Sequence, residues 1–214
     1  MIIIGLTGSI GMGKTTAGAM LTRLGVPVYD ADAAVHRVFA RGGGAVEPVG
    51  GAFPGTVKDG AVDRDALSSA VLGDPEKLAQ LEAIVHPQVR QVQLAFLRRS
   101  ARARRKMVAL DIPLLFETRG ERRCDYTILV SAPRAVQARR VLRRPGMTPE
   151  KFASILARQM SDYEKRKRAD FIVLTALDKG RTMGQLAGIV TLLRGREGSH
   201  WPPLPQVRQH KKPL

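Results

Sequence analysis

Ile2-Ile3-Ile4-Gly5-Leu6-Thr7-Gly8-Ser9-Ile10-Gly11-Met12-Gly13-Lys14-Thr15-Thr16 is a short β-branched apolar run, then Gly-x-x-x-x-Gly-Lys-Thr, then a helix-forming segment. The pattern matches a phosphate-binding loop and stands in the strand-loop-helix context that such a loop requires. Glycines let the backbone curl around a phosphate so that several N–H groups point inward, and the positive end of the following helix adds to the field. Lys14 supplies a point charge and Thr15 a hydroxyl for Mg²⁺. Gly11, Met12, Gly13, Lys14, Thr15 and Thr16 are therefore the expected contacts to a nucleoside triphosphate. The bland alternative is a strand-turn-helix whose glycines serve only the turn. The loop identifies a donor and leaves the fate of its phosphate to the rest of the chain.

Outward from the loop, residues 14–24 have helical spacing and stop at Gly25, with Pro27 just beyond. Residues 26–29 read as a second strand ending in Asp30-Ala31-Asp32. A carboxylate at the carboxyl end of a parallel strand lies on the edge where open α/β sheets bind ligands, so Asp32 is expected to face the loop's phosphates. Residues 33–41 look helical and are broken by Gly42-Gly43-Gly44. From there to about residue 105 there is no strong strand. Residues 65–72 and 74–99 carry helical patterns, the second with Asp74 as N-cap and Pro75 at the first helical position. Pro87 predicts a break or kink near His86.

The third expected strand, 107–110, ends at Asp111, where phosphate-loop enzymes keep an acid for Mg²⁺. Buried strands also end in acids by chance. Pro113-Leu114-Leu115-Phe116-Glu117 follows as an apolar turn or short helix. Residues 125–130 and 171–174 are the fourth and fifth strands, with helical patterns at 135–144, 149–168 and 179–193. Alternating strands and helices predict a three-layer α/β fold, a five-stranded parallel sheet covered on both faces. The division expected is a nucleotide core (1–32, 106–133, 159–194), a helical insertion (33–105), a helical hairpin (134–158) and a mobile tail (195–214) with Lys211-Lys212.

Lys plus Arg exceed Asp plus Glu by 35 − 19 = 16 in 214 residues, which suits nucleic acid, an acidic membrane surface or small polyanionic substrates. The run Arg98, Arg99, Arg102, Arg104, Arg105, Lys106 reads as a solvated helix end or an anion patch, and no aromatics stand among the charges for bases to stack on. Arg134, Arg139, Arg140, Arg143, Arg144, Lys151 and Arg158 crowd the hairpin hinged at Pro145-Gly146-Met147-Thr148. Such a cluster is the anatomy of a lid that closes over transferring phosphates, or else a solvent-facing basic hairpin. The single cysteine, Cys124, is read as a small buried residue beside a strand and allows no internal disulfide. The short N-terminal apolar run is neither signal peptide nor membrane span, so a cytoplasmic location is expected.

Taken together, the ordered set resembles the dephospho-coenzyme A kinase family, a nucleotide-kinase-like branch of the phosphate-loop enzymes. The likeness rests on the loop; Asp30-Ala31-Asp32; Asp63-Arg64 before Leu67; His86-Pro87; Pro113 to Glu117; Gln137-x-x-Arg140-x-x-x-Arg144 with Gly146-Met147-Thr148; Gln159; and Ala169-Asp170. It spans roughly residues 2 to 175. The resemblance implies a P-loop kinase fold in which the insertion is the acceptor domain and the hairpin the lid. It further implies ATP- and Mg²⁺-dependent phosphorylation of the ribose 3′-hydroxyl of dephospho-coenzyme A, the last step of coenzyme A formation. Asp32 would orient the hydroxyl and take its proton, Lys14 and Arg140 would neutralise the transferring phosphoryl group, and Thr15 with Asp111 would hold the metal. His86, Leu115, Phe116 and Glu117 would help form the acceptor site. His86 could equally be a packed residue before Pro87, and Arg64 either contacts the acceptor or pairs with a nearby acid.

Four positions depart from the family pattern: Ser9 for a usual glycine, Met12 for a common serine, Leu174-Thr175 where an Asn is usual, and Pro145 after Arg144. A kinase for another nucleoside or nucleotide is the nearest alternative, since one core serves many acceptors. From a different class, the charge would suit a nucleotide-dependent nucleic-acid-binding module.

Overall fold

Strand β1 (Ile2–Thr7) is buried along its whole length, as an apolar run with a neighbour on each side must be. It pairs in parallel with β5 (Met107–Asp111), from Ile2 opposite Met107 to Leu6 opposite Asp111, and with β6 (Tyr126–Ser131), from Ile4 opposite Tyr126 to Thr7 opposite Leu129. Beyond β6 lies β7 (Phe171–Leu174), also parallel. With β2 (Val28–Asp30) the five strands run in the order β2-β5-β1-β6-β7. The computed structural model describes residues 1–202. The part of the expected tail from 203 on, with Lys211 and Lys212, lies outside the described residues.

Two compact units are formed: Met1–Val28 with the described residues from Arg105 on, and Tyr29–Arg104. In the first, α1 (Lys14–Arg23) and α9 (Lys179–Leu193) bury Ala17, Leu21, Leu186 and Val190 in one core with Ile4, Leu6, Ile128 and Val130. Gly5 makes room in the centre of the sheet, since a Cβ there would lie 2.7 Å from Leu115 Cδ2. Strand β6 starts one residue later than expected, and Asp125 just before it grips β1 twice: its amide donates to the Ile3 carbonyl at 2.8 Å and its side chain accepts from the Ile3 amide at 2.7 Å.

Helix α6 (Arg134–Leu142) ends two residues short of the expected stop, before the turn at Gly146, whose φ is 70°. The single helix expected over 149–168 is two: α7 (Pro149–Ala157), capped by Thr148, and α8 (Asp162–Arg168), capped by Ser161. Ser161 accepts from the Glu164 amide at 3.2 Å and thereby restarts the helix with its own N-terminus.

In the second unit, α2 (Ala31–Phe39), α3 (Val46–Ala52), α4 (Arg64–Val71) and α5 (Pro75–Arg102) enclose Val38, Val49, Phe53, Leu67 and Val85. A short antiparallel ribbon, β3 (Val57–Lys58) and β4 (Ala61–Val62), turns through Asp59-Gly60, both at positive φ. Helix α5 corrects the expectation at Pro87: it runs unbroken for 28 residues with the proline inside it. Proline removes one ladder donor, and the buried face around Val85, Val89 and Val92 holds the helix through that gap. Helix α2 begins at Ala31, earlier than expected, because the Asp30 carboxylate caps the Ala33 amide at 2.9 Å. Asp32 therefore stands in the first turn of a helix rather than at the end of a strand. Tyr29 is tied to α5 by a hydrogen bond from its hydroxyl to the Val89 carbonyl, 3.2 Å, and burial pushes its pKa up to about 12.

Candidate active site

The loop between β1 and α1 takes its shape from three glycines. Gly11 and Gly13 have φ of 77° and 94°, in the left-handed region that side chains avoid. At Gly8 the constraint is space, since a Cβ there would lie 2.5 Å from Val130 Cγ2. Gly13 is the N-cap of α1 and offers no side chain to the first-turn amides, which are left for an anion. Thr15 and Thr16 are exposed at that helix start.

Side chains from three other elements fix the loop. The Ile10 peptide is held at both ends: its N–H donates to Gln159 Oε1 at 3.2 Å, and its carbonyl accepts from Gln137 Nε2 at 2.8 Å. Met12 is buried, its sulfur accepting from the Ala132 amide at 3.1 Å, while its carbonyl accepts from Thr175 Oγ1 at 2.6 Å. Arg140 completes the frame, donating to Thr175 Oγ1 at 3.0 Å, to the Thr175 carbonyl at 2.6 Å and to the Gly11 carbonyl at 3.4 Å. Thr175, a departure from the family pattern, is thus a loop support that sequence reasoning missed. Its signal was only its place after the fifth strand.

Lys14 pairs with Asp111, Nζ to Oδ1 2.5 Å, at the end of β5, where the carboxylate is almost fully buried. Hard oxygen donors at the loop are thus the Thr15 hydroxyl and the Asp111 carboxylate. That pair fits Mg²⁺, which takes one or two protein oxygens and fills its octahedron with phosphate oxygens and water.

Past β5, Leu115 and Phe116 are fully buried, so their side chains belong to the core of this unit. Glu117 Oε1 accepts from the Met160 amide at 2.8 Å and lies 3.0 Å from the ammonium of Lys165, itself wholly buried. Cys124 is buried as expected, and desolvation pushes its thiol up to about 12. The hairpin residues Arg134, Arg139, Arg143, Arg144, Lys151 and Arg158 are exposed, and among the described residues none of them is in an ion pair. A cavity of about 870 Å³ lies between the loop and the hairpin helices, lined by Ser9, Met12, Gln137, Leu156, Gln159 and Arg166 among others.

In the second unit Asp32 is exposed in the first turn of α2. Arg64 finds a histidine rather than an acid: its Nη1 lies 3.0 Å from His36 Nε2. His86 is exposed in α5, which disposes of the packed alternative.

The chain is similar to known proteins over most of its length. A curated relative from Paramagnetospirillum magneticum, a dephospho-CoA kinase, is 60% identical over 195 residues, 91% of this chain and 92% of its own. Another of that name, from Mesorhizobium japonicum, is 52% identical over 199 residues, 93% of this chain and all of its own. The crystal structure of TT1252 from Thermus thermophilus superposes with a TM-score of 0.80 at 39% identity, covering 89% of this chain and 96% of that one. The family description dephospho-CoA kinase matches residues 2–178, and with that match the chain belongs to the dephospho-CoA kinase family.

Proposed function

We propose that this kinase moves the γ-phosphoryl group of ATP onto the ribose 3′-hydroxyl of dephospho-coenzyme A, giving coenzyme A and ADP, with Asp32 as the base. The hydroxyl oxygen forms the new bond to the γ-phosphorus as the bond from that phosphorus to the β-bridging oxygen breaks. The hydroxyl proton goes to the Asp32 carboxylate, and ADP carries away the electron pair. The observation that carries the reading is the loop itself: an uncapped helix start at Gly13 with Lys14 beside it, in a chain of this family.

Gly11, Met12, Gly13, Lys14, Thr15 and Thr16 hold the triphosphate in this scheme, the backbone amides and Lys14 facing its oxygens. Lys14 leaves Asp111 for the phosphates as they arrive. Arg140 supports the reaction from the loop's far side through Thr175 and Gly11, and turns toward the transferring group when the hairpin closes. Thr15 and Asp111 would hold Mg²⁺, which would supply neutralisation of phosphate charge. Arg64 and His86 contact the acceptor. Leu115, Phe116 and Glu117 help form the acceptor site in the same scheme. No described helix is long and apolar enough to cross a membrane, and a reducing cytoplasmic setting agrees with the lone buried thiol.

The test is an ADP-release assay over a panel of acceptors. Dephospho-coenzyme A is expected to be preferred and the activity to vanish without Mg²⁺; preference for a nucleoside monophosphate would reassign the acceptor. Asp32→Asn is expected to lower kcat by about 10²–10⁴-fold, the scale of a lost general base, while ADP still binds in a direct titration. Retained turnover in that variant removes Asp32 from the chemistry.

A further inference from the structure

We infer that Lys165 is a positioning residue for the nucleotide loop, acting through Glu117 and the Gln159-Met160 turn on the Ile10 amide. Lys165 sits in α8 among Arg166, Lys167 and Arg168, yet its neighbours are exposed and it alone is wholly buried. Sinking an ammonium into a core is costly unless an opposite charge meets it, and a methionine or leucine would fill the same space without that cost. The counter-charge is Glu117, whose Oε1 lies 3.0 Å from Nζ. Neither Lys165 Nζ nor Glu117 Oε2 has a hydrogen-bond partner among the described residues. Charge, rather than hydrogen-bond direction, therefore holds the two together.

What the pair accomplishes follows from the other bonds of Glu117 and its neighbours. The turn carrying Glu117 is rigid: Leu115 and Phe116 are buried, and the Gly120 amide closes back on the Leu115 carbonyl at 2.7 Å. From that fixed base Oε1 takes the Met160 amide at 2.8 Å, and the preceding residue, Gln159, takes the Ile10 amide at 3.2 Å. Without the ammonium, a carboxylate beside Leu115 and Phe116 gains by swinging toward water. Met160 is then released, the turn loosens, and Gln159 no longer fixes the mouth of the loop. The inference rests on the loop being the nucleotide site, and every residue in it belongs to one compact unit.

The experiment is calorimetric titration with ADP of four chains: the parent, Gln159→Leu, the double variant Lys165→Met with Glu117→Leu, and all three changes together. Removing the pair as a whole avoids leaving a lone buried charge. The double variant and Gln159→Leu are each expected to weaken ADP roughly tenfold, the worth of one or two hydrogen bonds. The triple variant should weaken it no further, because all three changes break one chain of contacts. Unaltered ADP affinity in the folded double variant, or additive losses in the triple, overturns the inference. A parent chain that binds no ADP removes the nucleotide site itself and the inference with it.

Hydrogen exchange in the unaltered protein gives a second arm independent of any variant's folding. The Ile10 and Met160 amides are expected to be protected to the same degree, since they open together. Free exchange at Ile10 beside a protected Met160 overturns the link.

Discussion

At Thr175 a single hydroxyl does two things, donating to the Met12 carbonyl and accepting from Arg140, and so links the strand after the hairpin to the loop. Thr175→Val keeps the shape and deletes both bonds. Each is worth about 1 kcal/mol, so ADP affinity is expected to fall roughly threefold to tenfold, read by titration, with the fold retained by circular dichroism. Undiminished affinity would mean that Arg140, Gln137 and Gln159 frame the loop without the Thr175 hydroxyl. Residues of this kind are not legible in a sequence: a threonine after a strand has no local pattern, and its role arises from a contact with Met12, 163 positions away. Lys165 is hidden for the opposite reason, because its surroundings in the chain, Glu164 to Arg168, read as a solvated charged run. Lys14 and the glycines were legible because a phosphate-binding loop is local and backbone geometry dictates its spacing, whereas Asp111, 97 positions from Lys14, was marked only by its place at the end of an apolar strand.

Elements were legible wherever one periodicity governed them. The five strands of the sheet are apolar runs bounded by turn residues, and they stand where the sequence sets them to within a residue or two. Caps and tertiary packing account for the differences. Asp30 starts α2 early and carries Asp32 into its first turn, Ser161 splits the helix after the hairpin, and packing carries α5 past Pro87. Beyond the family match at residue 178, the segment after α9 is tied back to the sheet by Asp125. Its carboxylate accepts from the Ile3 amide, the Ser199 amide and hydroxyl, and the His200 amide and ring Nδ1. Burial pushes the Asp125 pKa up, but the hydrogen bonds from Ile3, His200 and Ser199 outweigh it and hold the group below the ordinary carboxylate range. The sign follows. A depressed folded pKa means stability that is full above the unfolded value, near 4, and lost as pH falls through the folded one. Asp125→Asn is expected to lower the melting temperature at pH 7 by about 3–8 °C, with the gap to the parent closing as pH falls below about 4. An equal gap at every pH would mean that shape, rather than charge, ties the segment down.

At the scale of the whole molecule, the excess of 16 positive charges in 214 residues has to be reconciled with a small-molecule enzyme. Much of it lies on exposed side chains: the arginines that close α5, and Arg139, Arg143, Arg144 and Arg158 on the hairpin. Among the described residues, stacking surfaces for bases do not accompany them. Tyr29 packs on Phe96, Tyr126 on Phe171, and the exposed Tyr163 is covered by Lys167, 4.2 Å from the ring centroid. Both proposed substrates are polyanions, and a field of this sign raises their encounter rate without needing any fixed contact. Salt separates steering from binding. Between about 50 and 200 mM salt, kcat/KM for ATP and for dephospho-coenzyme A is expected to fall several-fold as the Debye length shortens, while kcat at saturation stays level because steering acts on the encounter and not on the bound complex. A single-stranded RNA titrated over the same range should lose its binding by about 0.15 M, as charge without stacking does. A flat kcat/KM with RNA still held at that salt would assign the charge to a nucleic-acid partner instead.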